Sequence, residues 1–167
     1  GQELALAEKH KIDVVVPVPD SGVPAALGYA QQLGSPFELG IIRNHYVGRT
    51  FIEPTDEIRH LGVKLKHNAN RTVLEGKRVA LVDDSIVRGT TLQKVAKMVR
   101  DAGAAEIHIR ISCPEWMATC HYGVDTPRTS ELLASTHARD EMPEHCNVES
   151  VDFLDIDALY RAVGEQG

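Results

Sequence analysis

The sequence predicts an α/β fold in which a parallel sheet is flanked by helices on its faces. One observation is the β-branched run at residues 13–18, which is typical of a strand buried on both faces. A second is that the predicted strands at residues 79–82 and 107–111 are separated by a stretch with apolar residues at helical spacing. Strands that alternate with helices through short turns favour right-handed crossovers, and therefore a parallel sheet.

The first half of the chain is organised around the strand at residues 13–18. Residues 2–7 indicate a helix before it, and the turn at residues 19–22 after it leads into a second helix. That helix has apolar residues at helical spacing and a proline that its first turn tolerates. Residues 37–42 predict another strand, and a long region rich in Arg, Lys, His and Asn then extends to about Leu74.

The second half repeats the strand and helix arrangement. A glycine-bearing loop follows the strand at residues 79–82 and leads into a helix that ends near Gly103, where a left-handed cap is needed. The strand at residues 107–111 comes next. Beyond Pro114 the pattern indicates only short helical stripes, near residues 132–134 and 156–163.

The composition indicates one globular domain spanning residues 1–167. The chain is 43% hydrophobic and 25% charged, which is enough for one core. Its net charge of −6 gives no broad positive field, so nucleic acid is not an expected partner. Neither a long apolar run nor a basic-then-apolar leader is present, so we expect no membrane partner and a soluble, cytoplasmic protein. Cys113, Cys120 and Cys146 form no CxxC pair, which suits a reducing compartment.

The candidate site lies where predicted strands end, because open parallel sheets bind ligands outside the carboxyl ends of their strands. Asp83 and Asp84 follow one strand, and a hydroxyl-rich loop with Gly89 then enters a helix. Backbone N–H groups and the positive helix end favour a phosphate there. The two carboxylates would face sugar hydroxyls and a divalent cation. ATP-type and NAD-type sites lose their main support, because the chain contains neither GxxxxGK[ST] nor GxGxxG.

The segment from Val82 to Thr91 resembles the phosphoribosylpyrophosphate (PRPP) signature of type I phosphoribosyltransferases. It is specifically similar to the glutamine PRPP amidotransferase family, and the similarity extends from Asp13 to about Gly164. Residues 18–22 resemble the family's pyrophosphate loop, and residues 43–71 resemble the flexible catalytic loop that closes over PRPP. The resemblance therefore implies the type I phosphoribosyltransferase fold with a long flexible lid loop.

The resemblance also implies roles for individual residues. The metal ligands would be Ser21, Asp83 and Asp84, of which the two acids would also hold the ribose hydroxyls. The implied PRPP-binding residues are Asp20, Ser21, Gly22, Asp83, Asp84, Ser85, Ile86, Val87, Arg88, Gly89, Thr90 and Thr91. The implied catalytic residues are Arg43, Tyr46, Arg49 and Lys66. This sequence departs from the family at Arg43, where lysine is common, and at His45, where arginine is common.

The implied reaction transfers ammonia to C1 of PRPP with release of pyrophosphate, giving 5-phosphoribosylamine in the first step of de novo purine synthesis. Mg²⁺ is the implied cofactor. A [4Fe-4S] cluster is not expected, because Cys120 is the single residue that resembles a family ligand. The implied partners are a glutaminase domain, in cis or in trans, and further copies of the chain. Because residue 1 is glycine and no glutaminase segment precedes the sheet, we expect the phosphoribosyltransferase domain alone, dependent on free ammonia.

Two other functions stay open on the sequence. A salvage phosphoribosyltransferase would use the same site with a purine or pyrimidine base, although aromatic residues make up only 5% of the chain and offer little for a base-stacking hood. A non-catalytic PRPP-sensing domain would keep the phosphate site and lose the lid. The presence of Tyr46, Arg49 and Lys66 favours the enzyme.

Overall fold

The computed structural model describes residues 1–43, 67–120 and 128–164. Helices and strands alternate along most of this part of the chain. In chain order the elements are helix α1 (Gln2–Leu6), strand β1 (Val14–Pro17), helix α2 (Val23–Leu33), strands β2 (Ile41–Arg43) and β3 (His67–Ala69), helix α3 (Arg71–Leu74), strand β4 (Arg78–Asp83), helix α4 (Thr90–Asp101), strand β5 (Glu106–Ile111), a 3-10 helix (Thr129–Glu131), helices α5 (Leu133–Thr136) and α6 (Met142–Cys146), strand β6 (Ser150–Phe153) and helix α7 (Ile156–Val163).

The main sheet has the strand order β1-β4-β5-β6, and its neighbouring strands are all parallel. The predicted parallel sheet is therefore confirmed. Val82 of β4 pairs with Pro17 of β1 on one side and with Arg110 of β5 on the other, so the carboxyl ends of these three strands meet at one edge. Strands β2 and β3 form a separate antiparallel pair.

Alternate residues of the central strands face two hydrophobic clusters. On one face, Val79 and Leu81 pack with the apolar stripe of α4. On the other face, Ala80 and Val82 pack with buried residues of α1, α2 and α7. The sequence displays continuous apolar runs, which supply apolar side chains to both faces of the sheet, and the helical spacing of α4, so both layers follow from it.

Residues 37–42 do not form the single strand that the sequence predicts. Phe37 makes an isolated parallel bridge to Val15, whereas residues 41–43 pair with β3. The break between them lies at Gly40, where a Cβ atom would lie 3.0 Å from the side chain of Val16 and 3.1 Å from that of Leu74. A hydrophobic pattern could not show this break, because apolar residues stand on both sides of it. Strands β3 and β6 and helix α6 were also not predicted, because their polar residues leave no continuous apolar run.

A buried ion pair joins the end of α1 to the face of the sheet. Arg110 donates from Nε and Nη2 to the two carboxylate oxygens of Glu8, at 2.6 and 2.8 Å, and these side chains are only 2% and 1% exposed. The hydroxyl of Tyr29 also donates to Glu8, and Ser150 accepts a hydrogen bond from Arg110. Burial by itself raises the pKa of Glu8, but hydrogen bonds from Arg110, Tyr29 and the His10 N–H outweigh it and hold that pKa below its usual range.

Every helix within the described part of the chain is too short or too polar to span a lipid bilayer.

Candidate functional site at the carboxyl ends of β1 and β4

The turn that follows β1 lies directly against the end of β4. The Val18 N–H donates to the Val82 carbonyl at 2.8 Å, and the Gly22 N–H donates back to the Val18 carbonyl at 3.0 Å. A Cβ atom at position 22 would lie 2.3 Å from the Val82 carbonyl oxygen, so only glycine allows this approach. The Pro19–Asp20 peptide bond within the turn is cis.

Asp83 is the point at which the two strand ends meet. It ends β4 and is 7% exposed. Its Oδ1 accepts a hydrogen bond from Ser21 Oγ at 3.2 Å and another from the Asp84 N–H at 2.8 Å. Asp84 itself is exposed, and its Oδ1 accepts from Ser85 Oγ at 3.2 Å. The three residues predicted to bind metal therefore lie together, one carboxylate buried and the other open to solvent.

The environment of Asp83 favours its neutral form. Burial raises its pKa to about 7, and the nearby Asp84 carboxylate adds to the effect, while hydrogen bonds from the Asp84 N–H and Ser21 oppose it. A cation or a hydroxyl donor at this position would stabilise the ionised form instead. The oxygens of Ser21, Asp83 and Asp84 are the hard donors that Mg²⁺ prefers. Mg²⁺ commonly uses one or two carboxylates and completes its shell with water and substrate phosphates, which fits this donor set.

The loop between Asp84 and α4 enters the helix through a glycine. Gly89 precedes the first residue of α4 with a φ of 77°, in the left-handed region that favours glycine. Ser85 is half-buried, and Thr90 and Thr91, the first residues of α4, are exposed. Ile86, by contrast, is 5% exposed and belongs to the hydrophobic core, so only its backbone can face a ligand. We call residues 85–89, which the sequence predicts to hold a phosphate, the phosphate loop.

Arg43 ends β2 and reaches the turn that follows β1. Its Nη1 forms an ion pair with Asp20 Oδ2 at 2.5 Å, and its Nε is buried without a hydrogen-bond partner among the described residues. Two residues that the sequence assigns to PRPP therefore neutralise each other here. Tyr46, Arg49 and Lys66, the other residues predicted for catalysis, lie outside the described residues, as does His45.

Comparison with known proteins decides the family. A model of the phosphoribosyl transferase domain matches residues 3–121. The chain belongs to this phosphoribosyltransferase family. It is 60% identical over 165 residues to an amidophosphoribosyltransferase of Rhizobium etli, covering 98% of this chain and 33% of the relative. It is 53% identical to a chloroplastic amidophosphoribosyltransferase of Arabidopsis thaliana over 164 residues, or 98% of this chain and 31% of that relative.

A solved structure supports the same family. The glutamine PRPP amidotransferase from Bacillus subtilis, complexed with ADP and GMP, matches with a TM-score of 0.86 and 47% identity over 98% of this chain and 36% of that chain. The sequence-based predictions of the type I phosphoribosyltransferase fold and of the amidotransferase relationship are thereby confirmed. The chain spans about a third of the length of the curated relatives that it matches.

Two groups of residues around the candidate site were not found from the sequence. Ser112 and Cys113 follow β5 at the same sheet edge, and Ser112 donates from its N–H to the Asp83 carbonyl at 3.0 Å. Burial, together with the charges of Asp84 and Asp83, raises the pKa of the Cys113 thiol to about 11. The position of these residues directly after a predicted strand was the signal that could have found them. Glu131 and Leu133, which contact the phosphate loop, carried no such signal.

The raised pKa of Asp83 predicts how the stability of the metal-free protein depends on pH. The folded protein holds a proton that the unfolded chain releases, so this carboxyl destabilises the fold progressively as pH rises from about 4 to about 7. Asp83→Asn removes this ionisation. Its effect on the free energy of unfolding should therefore be more stabilising at pH 8 than at pH 4, by on the order of 2 to 4 kcal/mol. Urea unfolding with EDTA at both pH values measures the difference. An effect of Asp83→Asn that is equal at both pH values would contradict the prediction.

Proposed function

We propose that this domain binds PRPP at the carboxyl ends of β1 and β4 and transfers ammonia to its C1, with release of pyrophosphate. The product would be 5-phosphoribosylamine, in the first step of de novo purine synthesis. The observation that carries the proposal is the contact between Ser21 and Asp83, which joins the turn after β1 to the acids after β4. The names of the relatives at 53% to 60% identity support the reaction.

In this proposal the two ends of PRPP are held by different turns. The phosphate loop receives the 5′-phosphate through its N–H groups and the N-terminus of α4, whose first residues are Thr90 and Thr91. Asp83 and Asp84 accept hydrogen bonds from the ribose hydroxyls. The turn at residues 19–22 faces the pyrophosphate. Mg²⁺, when bound by Ser21, Asp83 and Asp84, would supply positive charge to the departing pyrophosphate.

The transition state needs stabilisation of the negative charge that leaves with pyrophosphate. Arg43 is the described cation beside the turn, and it would exchange Asp20 for a pyrophosphate oxygen. Neutral ammonia needs no general base to attack. Water competes for the same electron-poor carbon, so we infer that the predicted lid, with Tyr46, Arg49 and Lys66, also excludes solvent.

The partners of the domain follow the same proposal. A glutaminase domain would supply ammonia in the complete protein, and a homo-oligomer is expected. The Bacillus subtilis relative is complexed with ADP and GMP, so purine nucleotides are candidate ligands for this chain as well. The cytoplasmic location stays a prediction from the sequence.

Transfer assays test the function directly. Incubating the protein with PRPP, Mg²⁺ and ammonium at about pH 8 should release pyrophosphate, because neutral ammonia is then present in useful amounts. Replacing ammonium by adenine, hypoxanthine or uracil should give no nucleotide. Nucleotide formation without reaction of ammonia would establish a salvage enzyme instead. PRPP binding without either product would support a sensing domain.

A further inference from the structure

The phosphate loop is held from outside by the segment at residues 129–133. The Leu133 N–H donates to the Val87 carbonyl at 2.8 Å. The Leu133 side chain lies beside Gly89, where a Cβ atom would be 3.2 Å from Leu133 Cδ2. Leu132 and Leu133 are 0% and 2% exposed, so this segment is itself fixed in the core. A buried anchor therefore contacts the loop at two of its five residues.

An ion pair completes this contact at Arg88. Both Nε and Nη2 of Arg88 lie 2.8 Å from Oε2 of Glu131, the last residue of the 3-10 helix. The side chains are 54% and 43% exposed, so the pair contributes little to global stability. Glu131 stands directly before the buried Leu132, so its backbone is already ordered before the ion pair forms. The ion pair therefore restrains mainly the Arg88 side chain and the loop that bears it.

We infer that Arg88 and Glu131 are positioning residues: the Arg88 side chain anchors the phosphate loop to the 3-10 helix instead of binding the phosphate itself. The inference rests on the proposed function, because it assigns the anion of this loop to a sugar phosphate. It revises the role implied by family resemblance, in which Arg88 is one of the PRPP-binding residues. The backbone of Arg88 remains part of the phosphate loop, while its guanidinium nitrogens Nε and Nη2 face the Glu131 carboxylate.

The anchor has a chemical purpose in such a site. Backbone N–H groups bind a phosphate well only if they are oriented before it arrives. A loop fixed by the Leu133 N–H, the Leu133 side chain and the Arg88–Glu131 pair keeps that orientation without placing a further charge on the ligand. Glu131 also neutralises Arg88, so the loop attracts phosphate by its backbone and by the end of α4.

A charge exchange tests the inference, with ribose 5-phosphate as the probe and calorimetry without Mg²⁺ as the measurement. Arg88→Glu and Glu131→Arg should each weaken binding roughly threefold to tenfold, because each leaves two like charges facing each other. The double variant R88E/E131R should restore affinity to within about twofold of the unsubstituted protein. R88Q/E131Q, which keeps the local net charge unchanged, should stay about threefold weaker.

The matched control is the exchange K97E/D101K. Lys97 and Asp101 both lie in α4, away from the phosphate loop, and form an exposed ion pair of 2.9 Å. Their exchange should leave the affinity for ribose 5-phosphate unchanged. Thermal unfolding of every variant separates an effect on the loop from an effect on folding. If R88E/E131R binds as weakly as Arg88→Glu alone, Arg88 contacts the phosphate directly and the inference is overturned. Unchanged affinity in R88Q/E131Q would also overturn it.

The outcome is distinguishable from failure of the proposed function. Ribose 5-phosphate binding that follows the charge exchange, in a protein that does not consume PRPP with ammonia, would leave the anchor standing and reject the reaction. Intact transfer without rescue by the exchange would reject the anchor alone. No binding of ribose 5-phosphate to the unsubstituted protein would reject the inference outright.

Discussion

Replacing both Asp83 and Asp84 by asparagine should lower the affinity for PRPP in the presence of Mg²⁺ by at least about a hundredfold, because each hydrogen bond to a charged group contributes about 1.5 to 3 kcal/mol. Asparagine has the same shape as aspartate, and its oxygen still accepts hydrogen bonds from Ser21 and the backbone at Asp83. The fold should therefore persist. What is lost is the negative charge that, in the proposed site, would hold a cation and accept strong hydrogen bonds from the ribose hydroxyls.

Calorimetry of PRPP binding with and without Mg²⁺ measures this effect. The unsubstituted protein should bind more tightly with Mg²⁺, and the double variant should lose most of that gain. Asp101→Asn is a suitable control, because Asp101 is an exposed carboxylate that pairs with Lys97 far along α4. Equal affinity of the double variant and the unsubstituted protein would show that the acids after β4 do not hold PRPP.

Glu8→Gln should destabilise the fold by about 3 to 5 kcal/mol, because it removes the buried counter-charge of the Arg110 guanidinium. Arg110 is 2% exposed and has Asp152 as a second anionic contact, at 3.2 Å, but that carboxylate is 52% exposed. It therefore compensates only partly. Urea unfolding at pH 7 measures the loss. A change below about 1 kcal/mol, the range of exposed ion pairs, would contradict the prediction.

Two comparisons make the test of this pair specific. Glu75→Gln removes the partner of Arg71 in an exposed ion pair, in which the side chains of Glu75 and Arg71 are 58% and 71% exposed. This substitution should lower the free energy of unfolding far less than Glu8→Gln. E8L/R110M replaces the pair by apolar groups and should cost less than Glu8→Gln alone.

The lowered pKa of Glu8 makes the stability of the fold depend on pH. The Glu8 carboxylate stabilises the fold fully above pH 4.5, the pKa of this group in the unfolded chain, and this stabilisation is lost progressively as the pH falls below that value. Acid unfolding of Glu8→Gln should lack this contribution.

The main elements of the fold could be predicted because their patterns are local. The β-branched residues of β1 and the apolar stripe of α4 each identify their element from a few neighbouring positions. Strands β3 and β6 could not be found this way, because polar residues interrupt them and leave no apolar run like that of β1. The single strand predicted at residues 37–42 was wrong for a related reason: the close packing at Gly40 involves residues distant in sequence.

The candidate site also has features that a local sequence pattern reveals and others that depend on residues distant in the chain. The chemical groups of the site could be identified from sequence alone, because each is a short stretch of neighbouring residues: two acids followed by a glycine-bearing hydroxyl loop, and, separately, a Ser-Gly turn. The environment of these groups depends on the three-dimensional fold. Ser21 and Asp83 stand 62 positions apart, as Glu131 and Arg88 stand 43 apart, and chain crossovers bring each pair together. Burial, pKa and ion pairing depend on what surrounds a side chain in three dimensions, and no short stretch of sequence contains that information.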